Sequence, residues 1–439
     1  MCKESAVTPI TAETVRTPFR LVRPSTLVLV AIVLLGAAIR IHFFIPDLVR
    51  SPDEQTFARQ ANVILAQGTA GPTALGKEFF QDPVAFSQSP SPARVGYLVL
   101  LAAFMRVIGD HSTLAGAQLS LLCSLAALSL VAFIAWRALS ASVAIIATLL
   151  YTVFPFELTV SRRAWQESFI ALVALVIVAV AVHVARTHSI RRTVGFISFF
   201  LLGVLSITTK ENLAIHFMLC AAGLTLHFIL KGQHRAAILA AACAAASGIV
   251  SVAILASVFG GFTNYVTLER DFIHYSFGPY EMQFNTGPAW MFPAAFFRSC
   301  PILAVAALAG FATTLYRFSR SGSFACADFA VGLVFLSFGT IAIQFATQRY
   351  NFRYTAPAFG PLCLLGGIGI EAVLQALGKL LAPLGRTVAW AILGFAISVA
   401  ALRDFNHARD HFLLPRLQDL ALRPISDVPP SPLPIENPR

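Results

Sequence analysis

The residues best placed to do chemistry in this chain are the adjacent carboxylates of Ser51-Pro52-Asp53-Glu54. Ser51 fits an N-cap, Pro52 the first helical position, and Glu54 completes a capping box by reaching back to the Ser51 N–H. Phe57, Ala58, Ala61, Ile64 and Leu65 follow at helical spacing, and Gly68 closes the pattern. Acidic residues in a first turn also complement the helix dipole, so on local grounds the pair reads as capping alone. The chemical reading takes both as catalytic candidates. Glu54 is occupied by the cap, which leaves Asp53 free as a general base for an acceptor hydroxyl.

The elements that must hold these residues are membrane spans. Of 439 residues, 57% are hydrophobic and 12% charged, about half the charged share of a soluble domain. Apolar runs near 26–45, 113–136, 141–157, 168–186, 194–209, 212–230, 236–258, 299–316, 326–346, 355–377 and 387–402 suit helices crossing about 30 Å of hydrocarbon. The alternation of a β-barrel is absent. The expectation is therefore an all-α polytopic membrane protein with about eleven spans. Two interfacial helices are expected in its first outer loop, one after Ser51 and one over 95–108. A 1–25 tail, a transmembrane domain over 26–402 with outer loops 46–94 and 259–297, and a Pro-rich 403–439 tail complete the layout. The first run continues past His42 without a small-residue cleavage site and reads as a retained anchor. The cysteines, mostly inside apolar runs, read as packing residues.

Charge sets the orientation. Arg16, Arg20 and Arg23 precede the first span, and Arg137, Arg186, Arg191, Arg192, Lys231, Arg235, Arg317, Arg320, Lys379 and Arg386 fall on the same side, which places it in the cytoplasm. That leaves Arg59, Lys77, Arg94, Arg162, Arg163, Lys210, Arg270, Arg298, Arg349 and Arg353 on the outer side, where orientation disfavours them. Taken singly they suit lipid head groups. As a set on one face they suit an anionic, lipid-borne group. Nucleic acid is not an expected partner of a chain with so little surface outside the membrane.

The order of these pieces resembles the GT-C glycosyltransferases that use a polyprenyl-phosphate sugar, in the branch of protein O-mannosyltransferases and the lipid A aminoarabinose transferase. The Asp53-Glu54 pair after the first span resembles that family's hallmark, which implies Asp53 as the base. Gly96-Tyr97-Leu98 resembles its second juxtamembrane helix, and Arg162-Arg163-Ala164-Trp165-Gln166-Glu167 its outer segment, with Glu167 at the acidic place. Thr208-Thr209-Lys210 resembles the Thr-Lys closing its fifth span. Arg349-Tyr350 and Arg353-Tyr354-Thr355-Ala356-Pro357 resemble its late Arg-Tyr-x-x-Pro element. The chain departs from the pattern at Pro92-Ala93-Arg94, where relatives carry Lys-Pro or His-Pro.

The resemblance implies inverting transfer of one sugar from a polyprenyl phosphate to a lipid, glycan or protein acceptor, at the outer face of a bacterial inner membrane. Lys210, Arg349, Arg353, Arg162 and Arg163 would meet the departing phosphate. Lys77, Glu78, Arg94, Tyr97 and Glu167 would shape the sugar or acceptor pocket. No Asp-x-Asp stands in the first loop, so neither metal nor other cofactor is expected. His216 reads as a packed core residue, Glu371 as close to cytoplasmic water, and Asp110-His111 as the start of the next helix. The aromatic loop 259–297 reads as a site cover or an interfacial belt. Rival readings are a secondary transporter, another membrane transferase of lipid-linked glycans, or a non-catalytic subunit on the same fold.

Overall fold

The computed structural model describes residues 24–46, 48, 50–82, 90–276, 291–321, 328–346, 352–380, 399, 402, 403 and 406. Arg349, most of the expected span 387–402, nearly all of the 1–25 tail and nearly all of the 403–439 tail lie outside the described residues. The described elements are helical, with no strand among them. Eight of them are long and apolar enough to cross a membrane, and the chain is an integral membrane protein. These eight match expected spans, in order. They are α1 (Pro24–His42), α5 (Thr113–Ala138), α8 (Glu167–Arg186), α9 (Ser189–Thr209), α10 (Glu211–Leu230), α11 (His234–Val258), α14 (Pro301–Ser321) and α16 (Phe359–Leu380). The expected span 326–346 is α15 (Asp328–Ala346), whose apolar part, Phe329–Ile343, is shorter.

The expected span 141–157 is broken, and the break has a residue-level cause. It forms α6 (Ala141–Val153) and α7 (Pro155–Val160), separated by Phe154 in an extended conformation. Pro155 has no N–H, so the carbonyl of Tyr151 loses its helical partner. Inside a membrane such a carbonyl needs a replacement. Arg40, from α1, supplies it. Its Nη2 donates to Tyr151 O at 3.1 Å, its Nη1 to Thr152 O at 3.5 Å and Gly36 O at 3.1 Å, and its Nε to Ser124 Oγ at 2.7 Å. A cation suits the C-terminal end of α6, and the fully buried Glu157 supplies the opposite charge. One arginine thereby joins α1, α5 and α6 at the break.

Elsewhere the packing relies on small residues, as expected where lipid offers no hydrophobic drive between helices. α14 and α16 approach until a Cβ placed on Gly369 would stand 2.1 Å from Ala306 O.

Between α1 and α5 the chain forms three helices where two were expected. They are α2 (Pro52–Gln67), α3 (Gly71–Gln81) and α4 (Val95–Ile108). At about 1.5 Å per residue, α4 is too short to cross about 30 Å of hydrocarbon. It buries Val95, Tyr97, Leu98, Leu101, Ala102 and Met105 and packs on α2, α5 and α9. A Cβ on Gly96 would stand 2.7 Å from Thr209 Oγ1. Only glycine lets Arg94 come this close to the end of α9, where Lys210 follows. The second loop folds into α12 (Phe262–Ser276) and α13 (Met291–Ser299). α12 docks through Leu268 and Phe272 on Phe79, Val95, Leu255 and Phe259.

Replacing Arg40 with methionine leaves the carbonyls of Tyr151 and Thr152 buried without their donor and Glu157 without its nearby cation. We expect a loss of roughly 2–5 kcal/mol, as for leaving two buried acceptors unsatisfied, read as a lower thermal midpoint in detergent. An unchanged midpoint would show that the break at Pro155 does not need Arg40.

Candidate active site

Glu54 organises the site. It is fully buried. Its Oε2 accepts from Ser51 N at 2.6 Å, so the capping box forms, and its Oε1 accepts from Ala164 N at 2.7 Å. Arg163 Nη1 lies 3.2 Å from Oε2 and Arg50 Nη1 3.5 Å from Oε1. Arg50 also donates to Arg162 O at 3.0 Å, and Trp165 Nε1 to Ser51 Oγ at 3.2 Å. The start of α2 is thereby bound to residues 162–165. Both Glu54 oxygens are thus enclosed by donors from the protein itself.

Asp53, one residue earlier, points the other way. Its side chain keeps 32% exposure, and Arg353 Nη1 meets its Oδ2 at 3.0 Å. The Arg353 guanidinium lies over the Trp165 ring, 4.1 Å from the centroid, and Arg163 lies over the same ring at 5.1 Å. Each cation–π contact helps hold a desolvated guanidinium in a fixed plane.

Behind Arg353 stands Glu167, fully buried at the start of α8. Arg353 Nε lies 3.4 Å from Glu167 Oε1, and Lys210 Nζ donates to that oxygen at 2.9 Å. Lys210 sits over the Tyr354 ring at 5.1 Å. The Gln166 amide, oriented with its oxygen toward the cations, accepts from Arg94 Nη1 at 2.9 Å and Lys210 Nζ at 3.3 Å. Arg94 approaches Glu211 to 3.9 Å. The network thus runs from Asp53 through Arg353, Glu167, Lys210 and Gln166 to Arg94 and Glu211.

Its electrostatics are those of cations crowded out of water. Burial holds the Lys210 ammonium at about 8, below the ordinary lysine range; Glu167 pulls it up, Arg94 and Arg353 down. Burial, with Arg163 and Arg50 nearby, lowers Arg162 to about 10. Glu269, carried in by α12, is raised to about 7 by burial and then by Glu211, against the pull of Arg94. Arg50, Arg94, Arg162, Arg163, Lys210 and Arg353 together exceed Asp53, Glu54, Glu167, Glu211 and Glu269 in number. Such a site attracts an anion.

Asp53, Glu54, Arg162, Arg163, Glu167, Lys210, Arg353 and Arg94 are thus brought together. Tyr97 lies beneath them, fully buried, its ring 5.3 Å from Phe57 and 6.0 Å from Phe169. Lys77 and Glu78 are not drawn into the network: Lys77 is exposed, and Glu78 pairs with Arg59 on the open side of α2 and α3. Arg50, Gln166, Glu211 and Glu269 join without having been expected. Arg50 stands one turn before Glu54, a spacing that could have signalled the pair. Glu269 gave no signal, because its loop read as aromatic and not as a docked helix.

No protein-family model matches the sequence, and no curated protein matches it. Solved structures do. The Archaeoglobus fulgidus oligosaccharyltransferase, in the apo form, superimposes with a TM-score of 0.57 at 12% identity, over 88% of this chain and 55% of its own. ArnT from Cupriavidus metallidurans in the apo state gives 0.56 at 15%, over 89% of this chain and 77% of its own. ArnT bound to undecaprenyl phosphate gives 0.56 at 14%, over 88% and 76%. The chain therefore spans little more than half the length of the oligosaccharyltransferase and about three quarters of ArnT. At this identity the likeness carries the fold alone: the chain is built on the GT-C membrane fold shared by these two proteins.

Proposed function

We propose that this chain is a glycosyltransferase that moves a sugar from a polyprenyl-phosphate donor to a lipid, glycan or protein acceptor. The reaction takes place on the outer face of a bacterial inner membrane, with the N-terminus in the cytoplasm. One observation carries the reading: a partly exposed Asp53 held 3.0 Å from Arg353, at the open end of a buried network of cations. Neighbours on the same fold were solved with undecaprenyl phosphate or dolichol-phosphate bound, ligands whose phosphate suits such a site.

The reaction is a single displacement. Asp53 takes the proton of the acceptor hydroxyl as its oxygen bonds to the anomeric carbon. The bond from that carbon to the phosphate oxygen breaks, and the anomeric configuration inverts. The phosphate leaves with added negative charge, which Lys210 and Arg353 meet together with Arg162, Arg163 and Arg349. Glu167 keeps Arg353 and Lys210 side by side, Arg94 flanks Lys210, and Glu54 fixes the turn that aims Asp53. No metal or other cofactor enters the scheme.

The test is turnover by the purified protein on a panel of radiolabelled polyprenyl-phosphate sugars. Asp53→Asn should lower turnover about a hundredfold to ten-thousandfold while donor binding and the thermal midpoint stay near wild type. Equal turnover would remove Asp53 as the base, and absence of both turnover and donor binding for every sugar would end the transferase reading. Glu54→Gln should behave differently, because it leaves Arg163 buried without its carboxylate. We expect it to lose roughly 3 kcal/mol of stability, seen in the same melt.

Lys210 gives the pH dependence. It binds phosphate as a cation and loses its proton as pH rises through about 8, so donor affinity should be full below that value and fall above it. Lys210→Arg should keep affinity flat across the range, because arginine stays protonated. The same alkaline fall in both proteins would assign it to another group.

A further inference from the structure

At the far end of α4 from Arg94, the turn into α5 carries a second polar site. Arg106 stands twelve residues beyond Arg94, about 18 Å along the helix. There α2, α4 and the turn form an open surface cleft of about 530 Å³, lined by Asn62, Leu65, Ala66, Arg106 and His111.

The cleft is built, not incidental. Asn62 Nδ2 donates to His111 O at 2.8 Å, and its Oδ1 lies 3.1 Å from His111 Nδ1. Since that oxygen can only accept, Nδ1 carries the proton, and Nε2 is the ring atom left for a ligand. Arg106 is exposed in the last turn of α4 and makes no ion pair or hydrogen bond among the described residues. The adjacent carboxylate, Asp110, is turned away to accept from Ser112 N at 2.8 Å at the start of α5. Beside the cleft α4 exposes Val99, Val107 and Ile108, with Val107 84% accessible. An unpaired guanidinium, a fixed imidazole and an apolar strip together match a lipid whose head is anionic and carries a hydroxyl.

We propose that this cleft binds the head group of an anionic phospholipid in the leaflet on the Asp53 side, with Arg106 on the phosphate and His111 Nε2 accepting from a head-group hydroxyl. The acyl chains lie along Val99 and Val107, and the lipid holds α4 against α2 from the bilayer side. The site stands apart from the ion-pair network and does not depend on the reaction proposed for it.

Native mass spectrometry of the full chain tests this with phosphatidylglycerol and phosphatidylcholine of matched chains. Wild type should retain phosphatidylglycerol about tenfold more tightly than Arg106→Gln, the scale of one charge-assisted hydrogen bond. Arg106→Lys should recover part of the difference, and inorganic phosphate alone should not displace the lipid. Equal retention by Arg106→Gln, equal retention of phosphatidylcholine, or displacement by inorganic phosphate would each overturn the proposal. Because Arg106 is exposed and unpaired, its replacement leaves the fold intact.

Discussion

A carboxylate with no access to water must be matched by donors on every side, and the site is built around meeting that demand at Glu54. Ser51 N, Ala164 N, Arg163 and Arg50 converge on its two oxygens. Those donors come from the start of α2 and from residues 163–164, more than a hundred positions later. Satisfying one buried charge therefore sets the register of two distant segments. Trp165 follows from that register and offers its ring to Arg353, and Arg353 then reaches Asp53. The exposed aspartate is placed by its buried neighbour.

The same constraint acts a second time within the bundle, with the signs reversed. There the buried group is a cation, Arg40, and the acceptors are carbonyls freed by Pro155. The break lets the third expected span end in a short helix, α7, and deliver Ser161 through Gln166 as an irregular stretch. A continuous helix would have directed Arg162 and Arg163 around its circumference. The broken one presents the Ala164 N–H and the Arg163 side chain to Glu54. This irregular backbone is buried in protein, where Ser161 N, Arg163 N and Ala164 N, and the carbonyls of Arg162 and Trp165, find partners.

Much of this was legible in the sequence, and the rest was hidden for definable reasons. The spans could be read because lipid demands long apolar runs, and the capping box because its residues are three apart. The grouping of Asp53, Glu167, Lys210 and Arg353 came from a resemblance in motif order, not from any spacing. The break at Pro155 was missed because an apolar run looks the same whether or not a proline interrupts its hydrogen bonds. The partner that repairs it, Arg40, lies over a hundred residues away. α3 was missed because its Gly- and Pro-containing start reads as loop. Lys77 and Glu78 fell outside the network because α3 turns Glu78 toward Arg59, a packing outcome that local sequence does not encode.

Among the acidic side chains of the site, the surroundings of Glu167, Glu54 and Asp53 separate their roles. Glu167 is fully buried, with Lys210 and Arg353 on one oxygen at 2.9 and 3.4 Å. Accepting a proton would cost it two ionic contacts and leave those cations facing each other. Glu54 would lose two backbone donors as well as Arg163. Asp53 shares Arg353 with Glu167, keeps a third of its surface open and makes a single ion pair among the described residues. When a phosphate engages Arg353, the guanidinium retains Glu167 as its fixed partner, and Asp53 is the contact it can release. The carboxylates least able to take a proton are thus the two buried deepest, and Asp53, the most exposed of the three, is the one we propose as the base.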